Sequence, residues 1–134
     1  SDDKYKTFFH GHSFTANPIA CRAALASLEL FDNPACLENI QRIVEAHAQF
    51  ADEIKGNQSI EEIRILGTIL AIELKTVDER GYMNPISEQI TKHFLNNGIY
   101  LRPLGNVIYC TPPYIINEKE LQLIYDAIRQ FLNR

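Results

Sequence analysis

The sequence has little sulfur: it contains one methionine and three cysteines among its 134 residues. Cys21, Cys36 and Cys110 stand far apart, with an odd count and no Cys-x-x-Cys spacing. This pattern argues against a disulfide scaffold and against a zinc site, and it favours reduced thiols. We therefore expect each cysteine to be a small buried apolar residue and the protein to be cytoplasmic.

Long apolar runs and excess positive charge are also missing. No stretch approaches the about 20 apolar residues that span a bilayer, and the opening residues up to Tyr5 contain no apolar signal core. The formal net charge of −4 disfavours nucleic acid and anionic membranes as partners. We expect neither nucleic acid nor membrane as a partner.

What is present is the composition of an ordinary globular domain. Hydrophobic residues make up 46% and charged residues 22% of the chain, as in folded proteins generally, and this length suits one domain. The chain begins with Ser1 and runs almost at once into the dense segment at residues 8–14, whereas a natural start usually frays. We interpret the beginning as a cut end.

Capping residues predict four helices, because each start carries an Asn or Pro suited to the first helical turn. The last start pairs its Asn with Glu120 in a capping box. The first helix is alanine-rich and apolar on most faces, so we expect it to be buried or packed against another subunit. Gly56 ends the second helix, and Asn97 with the following glycine ends the third. The predicted helices begin at Asn17-Pro18, Asn33-Pro34, Pro85 and Asn117.

Three segments have the composition of strands. Residues 60–74 predict one strand with a bend or a close backbone approach at Gly67. Residues 99–102 and 107–110 predict a hairpin that turns at Gly105-Asn106. The predicted class is α+β, with about three antiparallel strands covered by helices.

The loop before the first helix is one candidate site. Ser13 and Thr15 place two hydroxyls where a helix N-terminus favours an anion such as phosphate. The alternative is that they only cap the helix or complete a turn. His10 and His12 flank Gly11, but no third ligand stands at a sensible spacing, so we expect no metal site.

Arg102 is the other candidate, since a charge inside an apolar strand needs a partner. A guanidinium can hold a substrate carboxylate through two parallel hydrogen bonds, and a structural ion pair is the alternative. Tyr109, across the predicted hairpin, could reach the same pocket, although strand tyrosines more often pack in a core. We interpret His47 and His93 as ordinary core-edge residues of helices. No nucleophile with an attached base is visible, so these residues alone name no reaction.

Two segments resemble motifs of the class III pyridoxal-phosphate aminotransferases. Residues 10–21 are similar to the motif that follows the cofactor lysine in that family, and they read His10-Gly11-His12-Ser13-Phe14-Thr15-Ala16-Asn17-Pro18-Ile19-Ala20-Cys21. Residues 98–114, with Arg102-Pro103 and the double proline Pro112-Pro113, look like the C-terminal signature of certain members. Those members transfer an amino group from S-adenosylmethionine to 8-amino-7-oxononanoate in biotin biosynthesis. The resemblance covers nearly the whole chain.

The resemblance implies the small C-terminal domain of a fold-type I transferase. Residues 1–134 would form one domain, in which residues 1–16 are the phosphate and active-site loop, 17–56 two helices and 60–134 an α+β small domain. The parent would be a homodimer that uses pyridoxal 5'-phosphate. The resemblance places His12 and Ser13 at the cofactor phosphate of the partner subunit, and it assigns substrate contacts to Gly11, Arg102 and Tyr109, with Arg102 on the carboxylate.

The same resemblance implies that this chain is inactive alone. The family's cofactor lysine, the aspartate on the pyridine nitrogen and the ring-stacking aromatic all lie upstream, so no catalytic residue falls in this chain, and we expect it to lack the cofactor. Ser13 stands where many relatives carry threonine, which keeps the hydroxyl. The alternatives are another class III ω-amino-acid aminotransferase, which residues 102–114 disfavour, and a non-catalytic assembly module.

Overall fold

The structure is a computed structural model that describes residues 3–6, 10–77, 81 and 83–134. The backbone divides into two compact units, Ser1–Pro34 and Ala35–Arg134. A short 3-10 turn precedes the main elements. These are α1 (Pro18–Phe31), α2 (Pro34–Ile54), β1 (Ile60–Leu66), β2 (Ile69–Leu74), α3 (Ile86–Asn96), β3 (Val107–Cys110) and α4 (Glu118–Leu132).

α1 begins where its cap predicts, but it is not buried. The side-chain oxygen of Asn17 accepts hydrogen bonds from the backbone N–H groups of Ile19 and Ala20 at 3.0 and 3.1 Å. No residue of α1 is buried, and Leu28 is 63% exposed. The expectation of a buried α1 is therefore wrong for this chain, because its apolar side chains are left in solvent. Cys21 is exposed for the same reason, while packing against another subunit stays a prediction.

The larger unit contains a three-stranded antiparallel sheet with the order β1-β2-β3. The single strand predicted over residues 60–74 is in fact two strands, β1 and β2, which pair from Leu66 opposite Ile69. Gly67 adopts a φ of +55° between them, a conformation that glycine enters without a Cβ clash and that tight hairpin turns use. A Cβ added there would meet nothing within 4 Å, so the turn and not a close approach requires glycine.

The other predicted hairpin forms only its turn. Leu104 and Val107 exchange backbone hydrogen bonds of 2.9 and 3.0 Å around Gly105, whose φ is +61°. Residues 99–102 are not a strand. β3 pairs instead with β2, where Ile108 lies opposite Ile72. The strand prediction at residues 99–102 is wrong because the long-range pairing with β2 takes the place of a local one.

One buried cluster joins the sheet to helices α2, α3 and α4. Strand residues alternate between buried and partly exposed positions along β2 and β3, as expected for a sheet covered on one face. The α+β prediction is confirmed. No described helix is long and apolar enough to cross a bilayer. Residues of the cluster that are at most 1% exposed include Leu70, Ile72, Ile108, Ile43, Ile90, Phe94 and Ile128.

His47 and His93 lie inside this cluster and not at its edge, being 0% and 3% exposed. The Nδ1 atom of His47 is 2.7 Å from the Tyr125 hydroxyl, and its Nε2 atom is 3.1 Å from the Thr68 carbonyl. The Nε2 atom of His93 is 2.7 Å from the Ala127 carbonyl. Both histidines are thus satisfied polar groups that connect elements within the core.

Candidate functional site

The loop before α1 is shaped by its own side chains. The His12 N–H donates to Thr15 Oγ1 at 2.9 Å, and the Phe14 N–H donates to His12 Nδ1 at 3.0 Å. Because Nδ1 accepts a hydrogen bond, the ring proton of His12 is on Nε2 in this arrangement. His12 therefore holds the turn through one ring nitrogen and, being exposed, offers a donor at the other.

Ser13 and Gly11 are the open positions of this loop. The exposed Ser13 hydroxyl makes no hydrogen bond within the part of the chain that the structure describes. Around Gly11, no atom lies within 4 Å of the place where a Cβ would stand. The loop thus combines a hydroxyl donor with free space for an incoming group.

The N-terminus of α1 offers an anion less than its sequence predicts. Pro18 has no N–H, the Asn17 side chain accepts the next two N–H groups, and the following N–H bonds to the Asn17 carbonyl at 2.9 Å. Asn17, and not Ser13 or Thr15, is therefore the cap of this helix, while Thr15 completes a turn of the loop. A phosphate at this loop would depend on Ser13, on His12 Nε2 and on the dipole of α1, and these donors fit such a group.

Arg102 lies between α3 and β3 and is exposed. The predicted position within an apolar strand is wrong because residues 99–102 do not join the sheet. Arg102 lines a cleft of about 700 Å³, a size typical of small-molecule sites. The cleft combines apolar and charged walls, which include Met83, Pro85, Ser87, Glu88, Lys92, Leu95 and Pro103.

Tyr109 lies on β3, half-buried and opposite Ala71. It lines a separate cavity of about 190 Å³ together with Ile99 and Tyr100. Arg102 and Tyr109 thus line two different cavities among those formed by described residues. The segment that joins α3 to β3 borders both cavities, and Arg102 faces the larger one.

Two charged residues of the cleft, Glu88 and Lys92, were not singled out from the sequence. Both lie on α3, four residues apart on its polar side. That spacing was visible in the sequence. What was not visible is that the packing of α3 beside Arg102 and Pro103 turns this side into a cleft wall.

The buried cysteine does not contribute a nucleophile. Cys110 is the one buried cysteine in the described chain, and burial raises the pKa of its thiol to about 12. It therefore stays protonated and unreactive at neutral pH. Cys36 is half-buried, so the expectation of buried cysteines holds for Cys110 alone.

Comparison with curated proteins gives consistent matches over nearly the whole chain. The family profile described as aminotransferase class-III matches residues 2–132. The adenosylmethionine-8-amino-7-oxononanoate aminotransferase of Synechococcus elongatus is 41% identical over 128 residues, which is 95% of this chain and 29% of that protein. The protein of the same name from Methanocaldococcus jannaschii is 35% identical over 92% of this chain and 28% of its own length. The chain therefore spans less than a third of these relatives.

Solved structures agree with the sequence matches. The crystal structure of the Methanocaldococcus jannaschii aminotransferase superposes with a TM-score of 0.76 at 32% identity, over 92% of this chain and 30% of that one. A PMP-bound aminotransferase from Vibrio fluvialis superposes with a TM-score of 0.79 at 25% identity, over 96% of this chain and 29% of that one. The helices and sheet described above are thus shared with larger aminotransferases.

Proposed function

The chain belongs to the class-III aminotransferase family, and we propose that it is the C-terminal part of a pyridoxal-phosphate enzyme of biotin biosynthesis. The parent enzyme transfers an amino group from S-adenosylmethionine to 8-amino-7-oxononanoate and forms 7,8-diaminononanoate. The names of the two curated relatives described above support this substrate pair. In this proposal the chain is inactive alone, because the cofactor lysine lies upstream of it.

The structural observation that carries the choice of acceptor is the Arg102 cleft. An exposed guanidinium beside aliphatic walls, here formed by Met83, Pro85 and Leu95, suits a carboxylate at the end of an aliphatic chain. The acceptor 8-amino-7-oxononanoate is such a molecule. Arg102 would hold its carboxylate through two parallel hydrogen bonds and so fix the distance of the keto group from the reacting centre.

The loop before α1 supplies the cofactor contacts in this proposal. Ser13 donates its hydroxyl to the phosphate in the partner subunit, while His12 holds the turn and adds the Nε2 donor. Gly11 leaves room beside the substrate, and Tyr109 lines the substrate region from β3. Pyridoxal phosphate, when bound, supplies the electron sink at the carbon that loses its proton.

The proposed parent is a cytoplasmic homodimer. The three free cysteines are in keeping with a reducing compartment. The exposed apolar residues of α1, among them Ile19, Leu25 and Leu28, offer a surface that a subunit contact could bury.

The test is an assay of the full-length parent and its Arg102→Ala and Arg102→Lys variants. We expect turnover with S-adenosylmethionine as donor, and a KM for the keto acid that Arg102→Ala raises about 10- to 100-fold, the worth of a charge-assisted hydrogen bond. Arg102→Lys retains the positive charge, so we expect it to raise the KM for the keto acid by a smaller factor than Arg102→Ala. The KM for S-adenosylmethionine is the internal control. Turnover with ornithine and none with S-adenosylmethionine contradicts the proposal and indicates another class III aminotransferase.

A further inference from the structure

One wall of the Arg102 cleft is a single face of α3. Ile90, His93 and Phe94 turn the other side of this helix into the core, where each is at most 3% exposed. The cleft-lining residues recur at the spacing of one helix face. α3 therefore serves as a core element and as a ligand-facing wall at once. The residues of that face are Ser87, Glu88, Thr91, Lys92, Leu95 and Asn96.

Glu88 and Lys92 line the cleft without pairing with each other. A glutamate four residues before a lysine is the arrangement that favours an ion pair on a helix. Ion pairs between residues three apart do form in this chain, with Lys55 Nζ 2.8 Å from Asp52 and Arg129 2.6 Å from Asp126 in α4. Within the described ranges, neither Glu88 nor Lys92 makes an ion pair. Both charges are therefore available to a ligand in the cleft.

We propose that Lys92 is a specificity residue of this cleft, a second cation that works with Arg102 to recognise the carboxylate of an aliphatic monocarboxylic acid. Glu88 opposes it and disfavours acids that carry a second carboxylate. The inference rests on the proposed function in that it takes the amino acceptor to enter this cleft. Lys92 brings a positive charge to the wall of the cleft that Arg102 also lines, and a positive charge attracts a carboxylate. Met83 and Leu95 face the aliphatic chain.

The kinetic test uses the full-length enzyme with Lys92→Gln, Lys92→Arg and Glu88→Gln. Because exposed ion pairs are weak, we expect Lys92→Gln to raise the KM for the keto acid by about threefold and to leave kcat unchanged. We expect Glu88→Gln to lower the KM for the keto acid by a similar factor. Lys92→Arg keeps the positive charge, so we expect its KM to equal that of the wild-type enzyme. Both effects shrink in high salt, which screens exposed charges. The matched control is Lys119→Gln, an exposed lysine of α4 that does not line the cleft.

A binding test separates this inference from the proposed function. The same variants are titrated with heptanoate, an aliphatic monocarboxylate that needs no turnover. Weaker binding in Lys92→Gln together with tighter binding in Glu88→Gln supports the inference, even if the wild-type enzyme uses a different acceptor and the proposed function fails. The inference is overturned if heptanoate does not bind, if Lys92→Gln behaves like Lys119→Gln, or if both cleft variants weaken binding alike. In those cases turnover of the keto acid still upholds the proposed function.

Discussion

The two ring nitrogens of His47 connect α2, which carries this residue, to α4 and to the turn between β1 and β2. The Thr68 carbonyl can only accept, so Nε2 of His47 carries the proton and Nδ1 accepts from the Tyr125 hydroxyl. This pair of hydrogen bonds is therefore made by the neutral imidazole. Desolvation by burial lowers the pKa of His47, outweighing the raising effect of the Thr68 hydrogen bond. Burial also raises the pKa of Tyr125.

We expect the folding stability of the chain to fall as the pH drops below about 6.5, the ordinary pKa of histidine. The unfolded chain takes up a proton at that pKa, whereas folded His47 resists it because its pKa is lowered. The stability that neutral His47 contributes is full above the unfolded pKa and is lost as the pH falls toward the folded pKa. Urea unfolding at about pH 7.5 and about pH 5.5 measures the difference.

The matched variant is His47→Gln, which does not titrate. We expect it to lose about 1–3 kcal/mol at neutral pH, since Tyr125 is left with a poorer partner, and to lose most of the pH dependence. The pKa of Glu53 is lowered from 4.5, first by its hydrogen bond to Arg129. The stability that ionised Glu53 contributes is therefore lost only below pH 4.5. It does not affect the comparison of the two unfolding experiments, which are both done at higher pH. Equal slopes for the two proteins would show that His47 is not the group responsible.

At the scale of elements, starts of helices were predictable because a cap is local. Asn117 accepts from the Glu120 N–H at 3.0 Å, and the Glu120 carboxylate accepts from the Asn117 N–H at 2.9 Å. Strand partners were not predictable, since Ile108 pairs with Ile72 across many intervening residues. The candidate site likewise has one feature that was predictable from the sequence and one that was not. Arg102 stands out by residue type, but its cleft depends on how α3 packs.

The turn between β1 and β2 gives the prediction at this scale. Gly67→Ala places a Cβ at a φ of +55°, and we expect it to lower the free energy of unfolding by about 1–2 kcal/mol. Gly56→Ala is the control, because Gly56 has no positive φ and equal free space. For Gly56→Ala we expect no decrease in the free energy of unfolding, and an increase of about 0.4–1 kcal/mol at most. Urea unfolding compares them, and similar losses in both would mean that the turn conformation is not what glycine supplies.

At the scale of the whole molecule, stability is distributed unevenly between the two units. Ala35–Arg134 contains all the buried residues that the structure describes. Ser1–Pro34 contains α1, a helix of 14 residues with none buried. A helix of this length without a packed face is marginal in water, whatever the quality of its cap. Its stability in the parent enzyme therefore depends on surface that this chain does not provide.

Amide hydrogen exchange tests this dependence. In the 134-residue chain at low concentration, we expect amides of α1 to exchange at nearly unfolded rates, while amides of α4 open only with global unfolding. In the full-length parent, α1 should become protected, because its apolar residues are then covered. Protection of α1 that grows with the concentration of the isolated chain would identify a second copy as the cover. Protection equal to that of α4 in the dilute chain would contradict the exposure of α1, and with it the argument that α1 is an interface helix.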